Sequence, residues 1–80
     1  MAVDEKLLEK ARRVPARVRF EEAVRLARQL GFEKVRQARH HRVFRFGAAV
    51  TPLNLQEGPH ARAKAYQVTA MLRMAGQAGG

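Results

Sequence analysis

The chain has 80 residues, enough for one domain, and a domain of this size buries only about 60% of the surface that its unfolded form exposes. It contains no cysteine and no serine, which excludes disulfides, thiolate metal sites and Cys or Ser nucleophiles. Sixteen Lys and Arg residues against seven Asp and Glu residues give a net charge of +9, which indicates a polyanionic partner such as nucleic acid.

The N-terminal segment predicts a short helix. It also favours a cytoplasmic location for the protein. Asp4 is a suitable N-cap for a helix over residues 4–13, and Pro15 prevents its continuation. The first ten residues include acidic side chains and lack the basic and then apolar layout of a secretory signal. Because no apolar run reaches the roughly 20 residues that cross a bilayer, we expect no membrane partner. Residues 1–18 are interpreted as a helical extension.

The clearest helix is predicted from Phe20 to Leu30. Its apolar residues recur at three- and four-residue spacing, the pattern of a helix with one buried face. They are Phe20, Ala23, Val24, Ala27 and Leu30. Glu21 and Glu22 favour the positive N-terminal end of the helix, and Gly31 stands where a left-handed C-cap residue belongs.

The pattern after this helix predicts three strands, over residues 32–37, 41–46 and 50–56, with a turn at 38–40. In the second strand Phe44 and Phe46 share one face, whereas His41, Val43 and Arg45 share the other. In the third strand Leu53 and Leu55 share a face. Pro52 cannot donate to a ladder, so this strand begins at an edge or pairs on one side only.

A last helix is predicted over residues 63–75, with residues 76–80 as a mobile tail. We expect it to bury Ala65, Val68, Leu72 and Ala75, with Met71 alongside. The fold class is therefore α+β, in the order α-β-β-β-α after a short N-terminal helix. A three-stranded antiparallel sheet carries the helices on one face, and this order is also that of double-stranded-RNA-binding domains.

The strand pattern identifies His41 as the strongest candidate for chemistry. If Phe44 points into the core, His41 points to the uncovered face, and it is flanked in sequence by Arg39, Arg42 and Arg45. Positive neighbours disfavour the imidazolium form, so a neutral ring is able to take a proton from a ribose 2′-hydroxyl while arginines stabilise the phosphate. The simpler alternative is a solvated histidine on a basic strand.

The basic residues around the first hairpin predict a phosphate track, or alternatively a soluble edge. They are Lys34, Arg36, Arg39, Arg42 and Arg45. Phe44 and Phe46 have the chemistry to stack on bases, but a core position is favoured. Adjacent strand residues such as His40 and His41 point to opposite faces, and the acidic residues are scattered. We therefore predict no metal site and no cofactor.

Four segments of the chain, taken in order, resemble the elements of one known protein family. Residues 20–32 (FEEAVRLARQLGF) look like the family's opening helix, and residues 35–46 (VRQARHHRVFRF) are similar to its Gly-Ser-His strand. Residues 52–56 (PLNLQ) look like the third strand of one subgroup, and residues 64–68 (KAYQV) are similar to the Lys-Pro-Tyr-Gln-Val helix start of that subgroup. This family is the HicA family of bacterial and archaeal toxins; the likeness runs from Phe20 to Leu72, and residues 19–75 are interpreted as a HicA-like domain.

The resemblance implies a double-stranded-RNA-binding-like fold, mRNA cleavage, an essential histidine and neutralisation by a HicB antitoxin. The family histidine falls on His41 without a gap, or on His40 with a one-residue shift. Lys64 matches the lysine of the subgroup and joins the expected RNA-binding residues. Arg39 and His40 occupy the family's Gly-Ser positions, where a left-handed turn would cost Arg39 roughly 1 kcal/mol.

Three functions remain in competition. The leading one is a toxin of a type II toxin–antitoxin pair that cleaves mRNA without a metal ion, with His41 as general base. Lys64, Arg42 and Tyr66 are candidates for the general acid. The alternative is an RNA-binding module without cleavage activity, which the missing Gly-Ser favours. A third is a protein partner whose basic face docks an acidic antitoxin.

Overall fold

The structure is a computed structural model that describes residues 2–78. Its helices are α1 (Glu5–Arg13), α2 (Phe20–Gln29) and α3 (Ala65–Met74), and its strands are β1 (Glu33–Ala38), β2 (His41–Arg45) and β3 (Leu53–Gln56). Short 3-10 turns cover Pro15–Arg17 and Pro59–Ala61. The strands form one antiparallel sheet in the order β1-β2-β3. The predicted α+β class is confirmed.

Local chemistry explains where α1 begins and where α2 ends. The Asp4 side chain accepts a hydrogen bond from the Leu7 N–H at 3.1 Å, which caps α1 as predicted. At the C-terminal end of α2, Gly31 has a φ of 101°, and the Phe32 N–H donates to the Ala27 carbonyl at 2.9 Å. This Schellman arrangement satisfies carbonyls that the last turn of α2 leaves free. Gly31 is therefore the predicted C-cap glycine.

The end of α3 repeats this arrangement inside the segment interpreted as a tail. Gly76 has a φ of 70°, and the Gln77 N–H donates to the Leu72 carbonyl at 2.7 Å. Arg12 of α1 donates to the Gln77 carbonyl and side chain, both at 2.9 Å. The predicted tail therefore begins with ordered hydrogen bonds, whereas residues 79–80 lie outside the described part of the chain.

One core unites the helices and the sheet. The helix-facing side of the sheet contributes Phe44, Leu53 and Leu55, which are all buried. α1 adds Leu7, Leu8 and Ala11 to the same cluster. The segment interpreted as an extension therefore belongs to the core of the domain. Within residues 2–78 no helix covers the opposite side of the sheet, which carries His41, Val43 and Asn54.

β1 is shifted by one residue from its predicted position, and β2 and β3 are shorter than predicted, for physical reasons that are visible at the strand ends. β3 begins at Leu53 because Pro52 has no N–H to donate, and Val50, predicted as its first residue, is 96% exposed. Phe32, predicted as the first residue of β1, lies before the strand, where it is buried and packs against the Phe46 ring with centroids 4.7 Å apart. Ala38 pairs with His41, so only two residues form the turn.

The turn and the last helix also differ in detail from the sequence interpretation. Among the described non-glycine residues only His60 and Ala61 have positive φ. Arg39 therefore avoids the left-handed penalty expected for it in the hairpin turn. In α3, Val68, Met71 and Leu72 are buried as predicted, whereas Ala65 and Ala75 are only partly covered and Gln67 is buried instead.

Candidate nucleic-acid interface

His41 lies at the start of β2 on the uncovered face of the sheet. It pairs across the sheet with Gln56, and its Nε2 lies 3.1 Å from the Asn54 Oδ1 atom. Because an amide oxygen only accepts hydrogen bonds, this contact is a hydrogen bond in the tautomer of His41 that carries its proton on Nε2. The Nδ1 atom of a neutral His41 ring then keeps its lone pair and is able to accept a proton.

Two of the predicted RNA-binding arginines share this face with His41. Arg36 lies opposite Val43 in the β1–β2 register, and Arg45 lies opposite Glu33. Val43 and Arg45 have the same strand parity as His41, so these side chains leave the sheet on the same side. Both guanidinium groups are exposed. The uncovered face therefore combines one imidazole with two accessible cations.

Arg42 and Lys34 lie on the other face, where the helices pack. The Arg42 guanidinium is 5.2 Å from the centroid of the Phe20 ring and donates to the Ala38 carbonyl at 2.9 Å. Lys34 pairs with Phe44 in the register, and its Nζ donates to the Gln37 side chain at 2.6 Å. The predicted basic track is therefore divided between the two faces of the hairpin, because neighbouring strand residues alternate.

The remaining predicted cations lie at the ends of elements. Arg39 is exposed in the two-residue turn between β1 and β2, and Lys64 is exposed at the N-cap position of α3. Neither position is part of the β1–β2 register that places Arg36 and Arg45 on the same face as His41. Arg39 and Lys64 are accessible to a polyanion from the rim of the domain.

A cationic cleft that sequence reasoning missed surrounds Arg42. It has a volume of about 520 Å³, and Arg25 and Arg28 of α2 line it together with Glu21 and Gln37. The helical pattern placed both α2 arginines simply toward solvent. Arg25 and Arg28 line the same cleft as Arg42 because of the way α2 packs beside the hairpin. The local sequence pattern does not predict this packing.

His40 has surroundings different from those of His41. Its Nδ1 lies 2.8 Å from the Glu57 Oε1, and its carbonyl accepts a hydrogen bond from the Glu57 N–H at 2.9 Å. This double contact joins the hairpin turn to the segment that follows β3. The two predicted catalytic candidates therefore differ in partner: His40 contacts a carboxylate, and His41 contacts a neutral amide.

A groove of about 690 Å³ runs beside His41, between β3 and α3. His41, Asn54, Tyr66 and Arg73 all line it. Tyr66 is 68% exposed, so its ring is available to a ligand. Strand alternation gave a signal for Asn54, which has the parity opposite to Leu53 and Leu55. For Arg73 the sequence contains no such signal, because its position depends on how α3 packs on β3.

Comparisons with known proteins identified no relative. No family model, no curated protein and no solved structure matches this chain. Across residues 2–78, His, Asp and Glu side chains do not gather in groups of three or more that have metal-binding geometry. No helix in this same range combines the length and apolar character of a transmembrane segment.

Proposed function

We propose that this protein is an RNA-cleaving toxin of the HicA type, in which His41 is the general base and no metal ion takes part. The observation that carries the proposal is the His41 ring on the uncovered face of the sheet. Its Nε2 is held by Asn54 at 3.1 Å, and Arg36 and Arg45 extend from the same face. The four HicA-like segments support the same assignment.

The proposed reaction is an internal transesterification of the RNA chain. His41 Nδ1 takes the proton of a ribose 2′-hydroxyl, and the 2′-oxygen forms a bond to the adjacent phosphorus. The bond from phosphorus to the 5′-oxygen breaks, and that oxygen takes a proton from water on this open face. The products are a 2′,3′-cyclic phosphate and a 5′-hydroxyl, and Arg36, which is nearer to His41 in the register than Arg45, stabilises the charge on the phosphate.

The charge of the protein supports RNA as the partner. The net charge of +9 supplies the long-range attraction, and phosphate contacts of this kind make binding salt-dependent. In a toxin–antitoxin pair this basic face is also the surface that an acidic HicB-like antitoxin would cover. Binding of such an antitoxin to the His41 face would block access of RNA to the imidazole.

Cleavage of labelled RNA by the purified protein in EDTA tests the proposal. We expect cleavage to fall by about 10²- to 10⁴-fold in His41→Ala, the usual contribution of a general base. His40→Ala is the matched control because it removes the neighbouring imidazole, whose partner is Glu57. Equal cleavage by the parent protein and His41→Ala would disprove the assignment, as would loss of cleavage in EDTA.

A second candidate function is RNA binding without cleavage. The cleft formed by Arg25, Arg28 and Arg42 favours it, because this cleft offers cations to a phosphate chain and contains no imidazole. Salt-sensitive RNA binding by the parent protein, with intact RNA after long incubation, would select this function. Loss of that binding on substitution of Arg25 and Arg28 would then locate it.

A further inference from the structure

The groove between β3 and α3 has two features of a nucleotide site. Its volume of about 690 Å³ lies within the range of roughly 300–1,000 Å³ that is usual for small-molecule sites. Its walls combine apolar side chains, such as Leu53 and Met74, with the exposed ring of Tyr66. His41 lines one part of the groove, so an occupant of the groove would be adjacent to the proposed general base.

The outer edge of β3 supplies hydrogen-bonding groups to this groove. The Glu57 N–H donates to the His40 carbonyl, so in the alternating antiparallel pattern the main-chain groups of Leu55 point toward β2. Those of Asn54 and Gln56 then point away from β2. The Gln56 N–H indeed bonds to the Gln67 side chain at 2.8 Å. The Asn54 N–H and carbonyl therefore offer a donor and an acceptor at the free edge.

We infer that this groove binds one unpaired nucleobase of the RNA substrate, next to the phosphodiester that His41 faces. An exposed aromatic ring beside hydrogen-bonding groups is the arrangement that recognises unstacked bases in single-stranded RNA. Tyr66 stacks on the base, and the main chain of Asn54 bonds to the edge of the base. Arg73, also exposed in the groove, contacts a flanking phosphate. The inference rests on the proposed function, and it specifies single-stranded RNA as the substrate.

Tyr66 provides a direct spectroscopic readout of this inference. The chain contains one tyrosine and no tryptophan, so its intrinsic emission comes from Tyr66 alone. The probes are 2′-O-methyl decamers of A, U or C, which have no free 2′-hydroxyl and stay intact. We expect them to quench the Tyr66 emission at matched absorbance. An abasic decamer of equal charge and a 2′-O-methyl A·U duplex are expected to bind without quenching.

Substitution of Tyr66 separates base stacking from charge. Tyr66→Ala is expected to weaken binding of the single-stranded decamers by roughly tenfold, measured by fluorescence anisotropy of labelled probes. Its affinity for the abasic decamer is expected to stay the same. Tyr66→Phe keeps the ring and is expected to bind within about twofold of the parent protein. Val50→Ala, at another exposed position, is the matched control.

The outcomes test the base site in the groove separately from the catalytic proposal. Equal quenching by abasic and base-containing decamers, or no quenching by either, would overturn the base site. If cleavage still depends on His41 in that case, the proposed function stands without the base site. Base-dependent quenching without any cleavage would support the groove and disprove the nuclease.

Discussion

The Asn54 Oδ1 lies 3.1 Å from the His41 Nε2, and the two side chains come from neighbouring strands on the uncovered face. The contact favours the tautomer of His41 that carries its proton on Nε2. It also orients the ring, because a hydrogen bond to one nitrogen determines the direction of the other. Asn54 is therefore a positioning residue for the proposed base, and it acts through His41.

We predict that Asn54→Ala lowers kcat for RNA cleavage by about tenfold with little change in KM, because the ring loses its orientation while the arginines remain. Asn54→Asp keeps an acceptor for Nε2 and is expected to restore most of the rate. Its carboxylate also favours the imidazolium, so the acidic limb of the pH–rate profile should move to higher pH. Steady-state kinetics from pH 5 to pH 9 measure both effects.

A purely structural role for Asn54 would give a different result. Because Asn54 is exposed, its replacement is not expected to change the urea midpoint of unfolding. If Asn54→Ala lowered this midpoint and the cleavage rate together, or if Asn54→Asp left the pH–rate profile unmoved, the positioning role would be wrong.

Arg36 and Arg45 are expected to contribute to RNA affinity through charge. Substituting both with Ala should weaken binding of single-stranded RNA roughly tenfold at moderate salt. Each phosphate contact that is lost should reduce the slope of log K against log salt by about 0.7. Fluorescence anisotropy titrations at several salt concentrations measure affinity and slope together.

The control for these arginines removes the same charge elsewhere. Arg13 and Arg17 are exposed in the segment before β1, and their double Ala variant lowers the net charge by the same two units. If both double variants weakened binding equally, the effect would be due to the overall charge of the protein. A specific phosphate track on the uncovered face would then be excluded.

Much of the fold could be predicted from short-range sequence patterns. Gly31 ends α2 because only a residue without Cβ adopts its φ of 101° without strain, and glycine at that place is visible in the sequence. The alternation of side chains along a strand likewise predicted that His41 and Phe44 lie on opposite faces of the sheet. The start of β3 was misplaced because Val50 has high strand propensity, whereas its side chain finds nothing to pack against.

The candidate site was only partly predictable, because it combines one strand pattern with long-range packing. Parity was sufficient to place His41 on the uncovered face. Sequence neighbourhood was misleading for Arg42, which is adjacent to His41 in the chain but stacks over Phe20 on the other face. The Arg73 and Tyr66 contributions depend on the angle at which α3 crosses β3, which is a tertiary feature.

Glu22 joins α1 to α2 and should make stability depend on pH. Its Oε1 accepts from Lys10 Nζ at 2.7 Å and from the Arg19 N–H at 2.9 Å. Partial burial alone would raise the pKa of Glu22, but the hydrogen bonds from Lys10 and Arg19 outweigh it, so the pKa lies below its ordinary value of 4.5. The folded state therefore favours the carboxylate.

We predict that Glu22→Gln destabilises the protein by about 1 kcal/mol at pH 7, measured by urea unfolding. A lowered pKa in the folded state gives stability that is complete above pH 4.5 and is lost as the pH falls below it. The difference between parent and variant should therefore shrink toward zero at pH 3. Glu21→Gln removes a charge from the same helix turn and serves as the control; an equal, pH-independent loss in both variants would contradict this account.

Gln67 is a buried polar residue whose removal should cost more than that of any exposed one. Its Oε1 accepts from the Gln56 N–H at 2.8 Å, and its Nε2 donates to the Gln56 Oε1 at 3.2 Å. Gln67→Met keeps the length of the side chain but leaves the Gln56 N–H without its partner at the edge of β3. We predict a loss of about 1–3 kcal/mol in the free energy of unfolding.

Gln56→Ala separates the two hydrogen bonds of this contact. It removes the acceptor of the Gln67 Nε2 and leaves the main-chain N–H of residue 56 bonded to Gln67, so we predict a smaller loss than for Gln67→Met, which removes both hydrogen bonds. The order of the two losses is the informative quantity, because it compares an unsatisfied main-chain donor at Gln56 with an unsatisfied side-chain amide at Gln67. Thermal and urea unfolding of both variants measure it. A Gln67→Met variant as stable as the parent would show that solvent reaches the edge of β3 and replaces the amide there.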